Sequence, residues 1–226
     1  MADAPAQPST GMSSQPSSRL AIRSPLAVAV FLAVIIAAAA SDLLSKHYVF
    51  RSFLDNPHLS AAVREMSYSP QITTRMILHD ERLAGLLKKQ VAPGVQFTIS
   101  TNPGIAFGTQ WPPRWLVNLA TVITVLAVLV YFAMSRARDW LGHVGLGLIV
   151  GGALGNLYDR LCSVVSVGVS GIEPIRGEVR DFIDCGGLFW PYVFNVADAW
   201  LVIGVGLLMI VWFRDGRKHP AKKRPA

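Results

Sequence analysis

Four stretches of this sequence are too long and too apolar for a water-soluble core: residues 26–44, 115–134, 141–157 and about 193–213. A helix needs about twenty apolar residues to cross a hydrocarbon layer of ~30 Å, and each stretch comes close to or meets that length. Charged residues are only 15% of the chain, against about a quarter in soluble proteins. The expected fold is an all-α membrane protein with four transmembrane helices, at about 24–46, 115–134, 141–159 and 193–213.

The net charge of +7 does not point to nucleic acid, because much of it gathers in one tail: Arg214, Arg217, Lys218, Lys222, Lys223 and Arg224. A basic tail after an apolar span fits a cytoplasmic segment facing anionic lipid. The turn at Arg136 and Arg138 is short and basic as well, so it and both termini are expected in the cytoplasm. Residues 47–114 and 161–192 then lie outside. The first of these carries seven Lys or Arg but is too long for the rule to weigh.

Residues 1–23, rich in Ser, Pro, Ala and Gln, read as a disordered cytoplasmic leader. Residues 24–214 form the membrane domain and 215–226 a basic cytoplasmic tail. The run Ala37-Ala38-Ala39-Ala40-Ser41 also fits a signal-peptide cleavage region. Against cleavage, the helical pattern continues through Asp42 and Lys46, an i,i+4 acid–base pair. Helix three carries Gly147-x-x-x-Gly151-x-x-x-Gly155, which lets neighbouring backbones approach closely and makes it the central helix.

The outer face is expected to hold a small β-rich element and an extended loop. Residues 95–100 alternate apolar and polar as a strand does, and lead into the turn signal Asn102-Pro103-Gly104. Residues 73–90 place Ile77, Leu83, Leu86 and Leu87 near one face of an imperfect amphipathic helix. It could lie on the membrane or pack on the protein. Cys162 and Cys185 fall in one outer loop without Cys-x-x-Cys spacing; two unpaired thiols are expected over a disulfide.

Carboxylates at a membrane boundary are costly, so each needs a reason. Asp42, Asp159, Asp181 and Asp198 all fall near outer helix ends. Asp198 sits one turn inside helix four with no basic residue within a turn, and Asp181 lies just before that helix. Two acids entering one cavity can share a proton, leaving one as base and one as acid. Asp159 competes for such a role, but neighbouring Arg160 suggests an ordinary helix-end ion pair. Gly168-Val169-Ser170-Gly171 resembles a rhomboid serine motif, yet lies in a loop. His143, near the cytoplasmic end of helix three, reads as a packing histidine. Trp111, Trp115, Trp140 and Trp190 flank the apolar blocks as interfacial residues do. Asn156, an amide at a membrane helix end followed by Arg160, suits contact with a substrate backbone.

Five segments together resemble the lipoprotein signal peptidases (type II signal peptidases): residues 42–46, 102–108, 151–160, 179–183 and 194–198. The resemblance covers about 24–214. It implies a membrane aspartic endopeptidase that removes signal peptides from prolipoproteins, cutting before the diacylglyceryl-modified cysteine. It implies Asp181 and Asp198 as the catalytic pair, and Asn102, Gly104, Asn156, Arg160 and Asn195 as substrate-binding or orienting residues. Asp42, Lys46 and Asp159 would be structural. No metal and no cofactor are expected; the partners are prolipoprotein and membrane lipid, not nucleic acid, and a monomer is expected in the bacterial inner membrane. Residues 51–91 and 162–178 are longer than the family pattern, and Ala199 stands where serine commonly follows the second aspartate. A transporter could use membrane acids as a proton relay but usually shows inverted repeats or broken helices, and none is evident here. A non-catalytic assembly factor needs no carboxylate pair, and neither predicts all five segments.

Overall fold

A computed structural model of the chain describes residues 19–66, 72–104, 112–188 and 191–218. Most of the leader, residues 105–108 of the Asn102 segment, Trp111, Trp190 and the basic residues Lys222, Lys223 and Arg224 lie outside the described residues.

The first span is α1 (Pro25–Leu54), capped by Ser24, whose hydroxyl accepts the Ala27 N–H, with Pro25 at the first helical position. The expected end near residue 46 was too early. Asp42, Lys46, Phe50 and Phe53 recur on one helical face, all buried. Below, that face meets charged partners; above, it meets apolar ones, and nothing breaks the helix before Asp55-Asn56-Pro57.

The chain then folds outside the bundle as α2 (Pro57–Met66), α3 (Thr74–Leu78), α4 (Ala84–Leu87), β1 (Lys88–Ala92) and β2 (Val95–Asn102). So residues 73–90 are not one amphipathic helix. Asp80 interrupts it by capping a short 3-10 turn, and the last residues join a sheet because β2 offers a strand edge. The outer segment is structured, as its patterning predicts. Leu59, Val63, Ile77, Leu83 and Leu87 share one core with Phe50, Phe53, Ile99 and Phe182. The apolar stripe packs on the protein.

Next come α5 (Arg114–Met134), α6 (Trp140–Cys162), β3 (Val164–Val165), β4 (Ile175–Arg176), β5 (Val179–Asp184), β6 (Val193–Phe194) and α7 (Val196–Lys218). β1, β2, β5 and β6 form one antiparallel sheet in that order; β3 and β4 pair separately. The fourth span starts three residues later than expected, because Val193 and Phe194 are used to pair with β5.

The α6 helix is central, as its glycines predict. Its mean hydropathy is the lowest of the four spans at 1.3, yet 67% of its apolar window is buried; for α5 the values are 2.4 and 6%. The least greasy helix faces protein and the greasier α5 is left for lipid. A Cβ on Gly151 would lie 2.6 Å from the Ala38 Cβ and 2.8 Å from the Ile35 carbonyl of α1. On the opposite side, a Cβ on Gly152 would lie 2.6 Å from the Ala197 carbonyl of α7. Both α1 and α7 are thereby held at backbone contact with α6.

Candidate active site

Asp181 reaches the site from the sheet. It lies on β5 opposite Ser100 of β2, with Asn102 two pairs further along, so that Asn102 and Asp181 share a sheet face. The Asn102 amide hydrogen-bonds the Asp181 carboxyl, while the Asn102 Oδ1 accepts the Gly104 N–H at 2.9 Å. That turn requires Gly104 at φ +97°, and its Cα side faces the Arg160 guanidinium: an added Cβ would lie 3.5 Å from Arg160 Nε.

Asp198 reaches the site from α7. It lies within the first turn rather than one turn inside. There it forms a reciprocal cap with Asn195. The Asn195 Oδ1 accepts the Asp198 N–H at 3.1 Å, and the Asp198 Oδ2 accepts the Asn195 N–H at 3.2 Å. A helix N-terminus with free N–H groups favours an anion, so α7 starts where a carboxylate is held.

Two amides join the acids. Asn195 Nδ2 donates to Asp181 Oδ1 at 2.6 Å and to Asn156 Oδ1 at 3.1 Å. Asn156 Nδ2 donates to Asp198 Oδ1 at 2.8 Å. Which way the Asn156 amide points is fixed by Lys46: an ammonium can only donate, and its Nζ lies 2.9 Å from Asn156 Oδ1. Asp181, Asn195, Asn156 and Asp198 thus form one chain of hydrogen bonds.

Beneath it lies a second layer. Lys46, fully buried, bonds Asp42 at 2.7 Å and Asp159 at 3.1 Å. Asp42 also accepts the Ala197 N–H at 2.9 Å, a further cap on α7. Asp159 is paired not with its neighbour Arg160 but with Arg180, whose Nη2 and Nε reach Asp159 Oδ1 at 2.6 and 2.9 Å. Alternation on β5 explains the swap: Arg180 points away from the face that carries Asp181, toward Asp159 and the Phe50 ring. Arg160 is left for the acids. Its charge attracts Asp198, Asp181 and Asp159, and its buried Nε has no hydrogen-bond partner among the described residues.

Burial pushes the Asp181 carboxyl up from 3.8 to about 7, and the Asp198 charge adds to the rise; the Asn195 and Asn102 amides and Lys46 oppose it. At neutral pH this group therefore holds a proton for much of the time.

Elsewhere, Cys162 and Cys185 are free thiols, and His143 is a buried packing histidine with Nε2 3.0 Å from the Ser135 hydroxyl. Gly168–Gly171 is loop. No group of three or more His, Cys, Asp or Glu suited to a metal occurs among the described residues. Glu178 reads in the sequence as a loop residue. Buried just before β5, it binds Arg75 of α3 at 2.6 Å and Arg114 of α5 at 2.7 Å, tying the outer layer to a membrane helix. Nothing local in the sequence signals that pairing.

The profile of the family described as Signal peptidase (SPase) II matches residues 33–214. A lipoprotein signal peptidase of Desulfitobacterium hafniense is 43% identical over 123 residues, covering 54% of this chain and 71% of that protein. One from Halalkalibacterium halodurans is 35% identical over 127 residues, covering 56% and 73%. A solved bacterial membrane enzyme superposes with a TM-score of 0.55 over 88% of this chain and 95% of its own, at 22% identity, which speaks to the fold alone.

Proposed function

The chain belongs to the signal peptidase II family, membrane aspartic endopeptidases that remove signal peptides from prolipoproteins, and on that premise we propose that Asp181 and Asp198 are its catalytic pair. The observation that carries the assignment is the hydrogen-bonded chain Asp181–Asn195–Asn156–Asp198, with one acid on a strand and the other on a helix start.

Asp198 receives N–H donors on both oxygens and sits at a helix N-terminus, so it carries the negative charge and acts as base. It takes a proton from water as the water oxygen attacks the scissile carbonyl carbon. Asp181, holding its proton, gives it to the carbonyl oxygen. The resulting diol then collapses: Asp198 gives its proton to the amide nitrogen, Asp181 takes one back from a diol hydroxyl, the C–N bond breaks, and a free cysteine amine and a signal-peptide carboxyl group result. The bond cut is the one before the diacylglyceryl-modified cysteine.

The supporting residues divide in two. Asn195 is fully buried with both amide hydrogens used inside the protein, so it orients the acids rather than touching substrate. Asn156 orients Asp198 and keeps a second amide hydrogen for a substrate carbonyl. Arg160, with an unpartnered Nε under the Asn102–Gly104 turn, is the donor placed for the substrate backbone. Residues 24–214 make up the peptidase domain, acting as a monomer in contact with membrane lipid and without nucleic acid.

Purified full-length protein is expected to cut a diacylglyceryl-modified preprotein, read by gel shift and by mass of the new N-terminal cysteine, and to leave the unmodified preprotein intact. Equal cleavage of both would overturn the substrate assignment. The same assay run across pH carries a second expectation: the rate declines as pH rises through about 7, where Asp181 loses its proton. Stability follows the same group. Between 3.8 and about 7 the unfolded chain has released the proton that the folded one keeps, so stability falls with rising pH in that window. Asp181→Asn should flatten that slope, and an unchanged slope would refute the burial argument.

The Lys/Arg distribution supports placing both termini and residues 135–139 in the cytoplasm, with the acids near the outer face. The exposed Cys162 is a ready reporter. An impermeant maleimide should label it in intact spheroplasts of a Cys185→Ser strain. It should not label Ala137→Cys in a background with both native cysteines replaced. The reverse pattern means an inverted topology.

A further inference from the structure

At the end of the bundle opposite the carboxylates, a cavity of about 640 Å³ opens between the last turn of α5, the α5–α6 turn and the last turns of α7. Its volume falls in the range of small-ligand sites. Three guanidinium groups line it, Arg136, Arg138 and Arg214, against two carboxylates, Asp139 and Asp215. Asp139 is committed to capping α6, its Oδ1 accepting the Gly142 N–H, and Asp215 has interactions of its own. Three guanidinium charges against two carboxylates leave the lining one positive charge in excess, presented by the side chain best shaped for a phosphate.

Its surroundings set the depth in the membrane. Tyr131 lines the cavity, and Tyr131, Trp140 and Trp212 are all exposed at this end of the bundle, as aromatic side chains are at the headgroup level. Just inside that level, α5 and α7 expose Val130, Met209 and Ile210, apolar walls along which acyl chains can lie. A soluble anion would use the guanidinium groups but not these walls.

We propose that this cavity binds the headgroup phosphate of an anionic membrane phospholipid, held by Arg136, Arg138 and Arg214. None of the three takes part in the catalytic arrangement, so the site is independent of the peptidase reading. It would fix the depth and tilt of α5 and α7 in the inner leaflet, at the far end of the helix that carries Asp198.

Native mass spectrometry of the full-length protein in detergent tests this, with phosphatidylglycerol and phosphatidylcholine offered in turn. Wild-type protein should retain phosphatidylglycerol about tenfold more strongly than phosphatidylcholine: both carry the phosphate, but the choline cation of the second is repelled by the guanidinium groups, a difference on the order of one charge-assisted contact. Arg214→Gln should weaken retention roughly tenfold, and R136Q/R138Q/R214Q should abolish the preference, with cleavage of the preprotein unchanged. Equal retention of the two lipids by wild type, or a preference surviving in the triple variant, overturns the proposal. Displacement of the lipid by inorganic phosphate or glycerol 3-phosphate at matched concentration would assign the site to a free anion and overturn the lipid source. If the triple variant does not assemble, wild-type protein is cross-linked with photoreactive phosphatidylglycerol. Label should then concentrate in residues 131–139 and 214–215, and label spread over the bundle overturns the site.

Discussion

Asp181→Asn and Asp198→Asn are each expected to lower turnover per folded molecule by roughly three to four orders of magnitude, the scale of a lost general acid or base. An amide cannot exchange the proton, although it keeps the shape. The double variant should be little slower than either single one, because the two groups act as a unit. Stability should separate the two. At position 181 an amide removes a buried like-charge neighbour and can still accept from Asn195 Nδ2, so Asp181→Asn should fold at least as well as the parent. At position 198 both carboxylate oxygens accept an N–H, from Asn156 and from the Asn195 backbone. An asparagine has one oxygen, so half of the reciprocal cap is lost, at a cost of about 1 kcal/mol. Turnover by purified, correctly folded Asp198→Asn near the parent rate would end the two-acid mechanism.

The second large effect is expected at Lys46, which never meets the substrate. Lys46→Met keeps the length of the side chain and removes its charge, leaving Asp42 and Asp159 facing one another in a site with no solvent access. Removing one partner of a buried ion pair costs about 3–5 kcal/mol. Thermal unfolding in detergent should show a large drop in melting temperature, or the protein should fail to accumulate in the membrane. Asp159→Asn should be milder, because Asp42 still partners Lys46. Any surviving Lys46→Met protein should also cleave more slowly, since the Asn156 amide loses its ammonium donor and is oriented by the Asn195 amide and Asp198 without it. A melting temperature equal to the parent's would mean that the three charges are not mutually compensating.

What could be read from the residues alone follows from cost. Lipid tolerates neither open backbone nor unpaired charge, so four spans, a glycine-lined central helix and a short list of aspartates were legible before any coordinates. Asp42 and Lys46 were legible as a pair because four residues on a helix is one turn. Partners set by tertiary folding were not. Asp159 looked bound to Arg160 next door, whereas strand alternation turns Arg180 toward it and frees Arg160 for the site. The helix at residues 73–90 looked continuous because its leucines fall at helical spacing, but β2 had an edge to offer and the chain took it. The extension of α1 to Leu54 depends on an outer core assembled from residues as distant as Phe182.

The reciprocal cap between Asn195 and Asp198 has a bearing on drug resistance. A compound that draws its affinity from Asp198 would bind a group that also starts α7 and holds it against α6 through Asn156. A mutation there that evades the compound would forfeit catalysis and a helix terminus together. Escape would have to come from the rim, at residues that neither bond the acids nor shape the turn at Gly104. Contacts made below that rim should therefore be slower to fail in use than contacts made upon it.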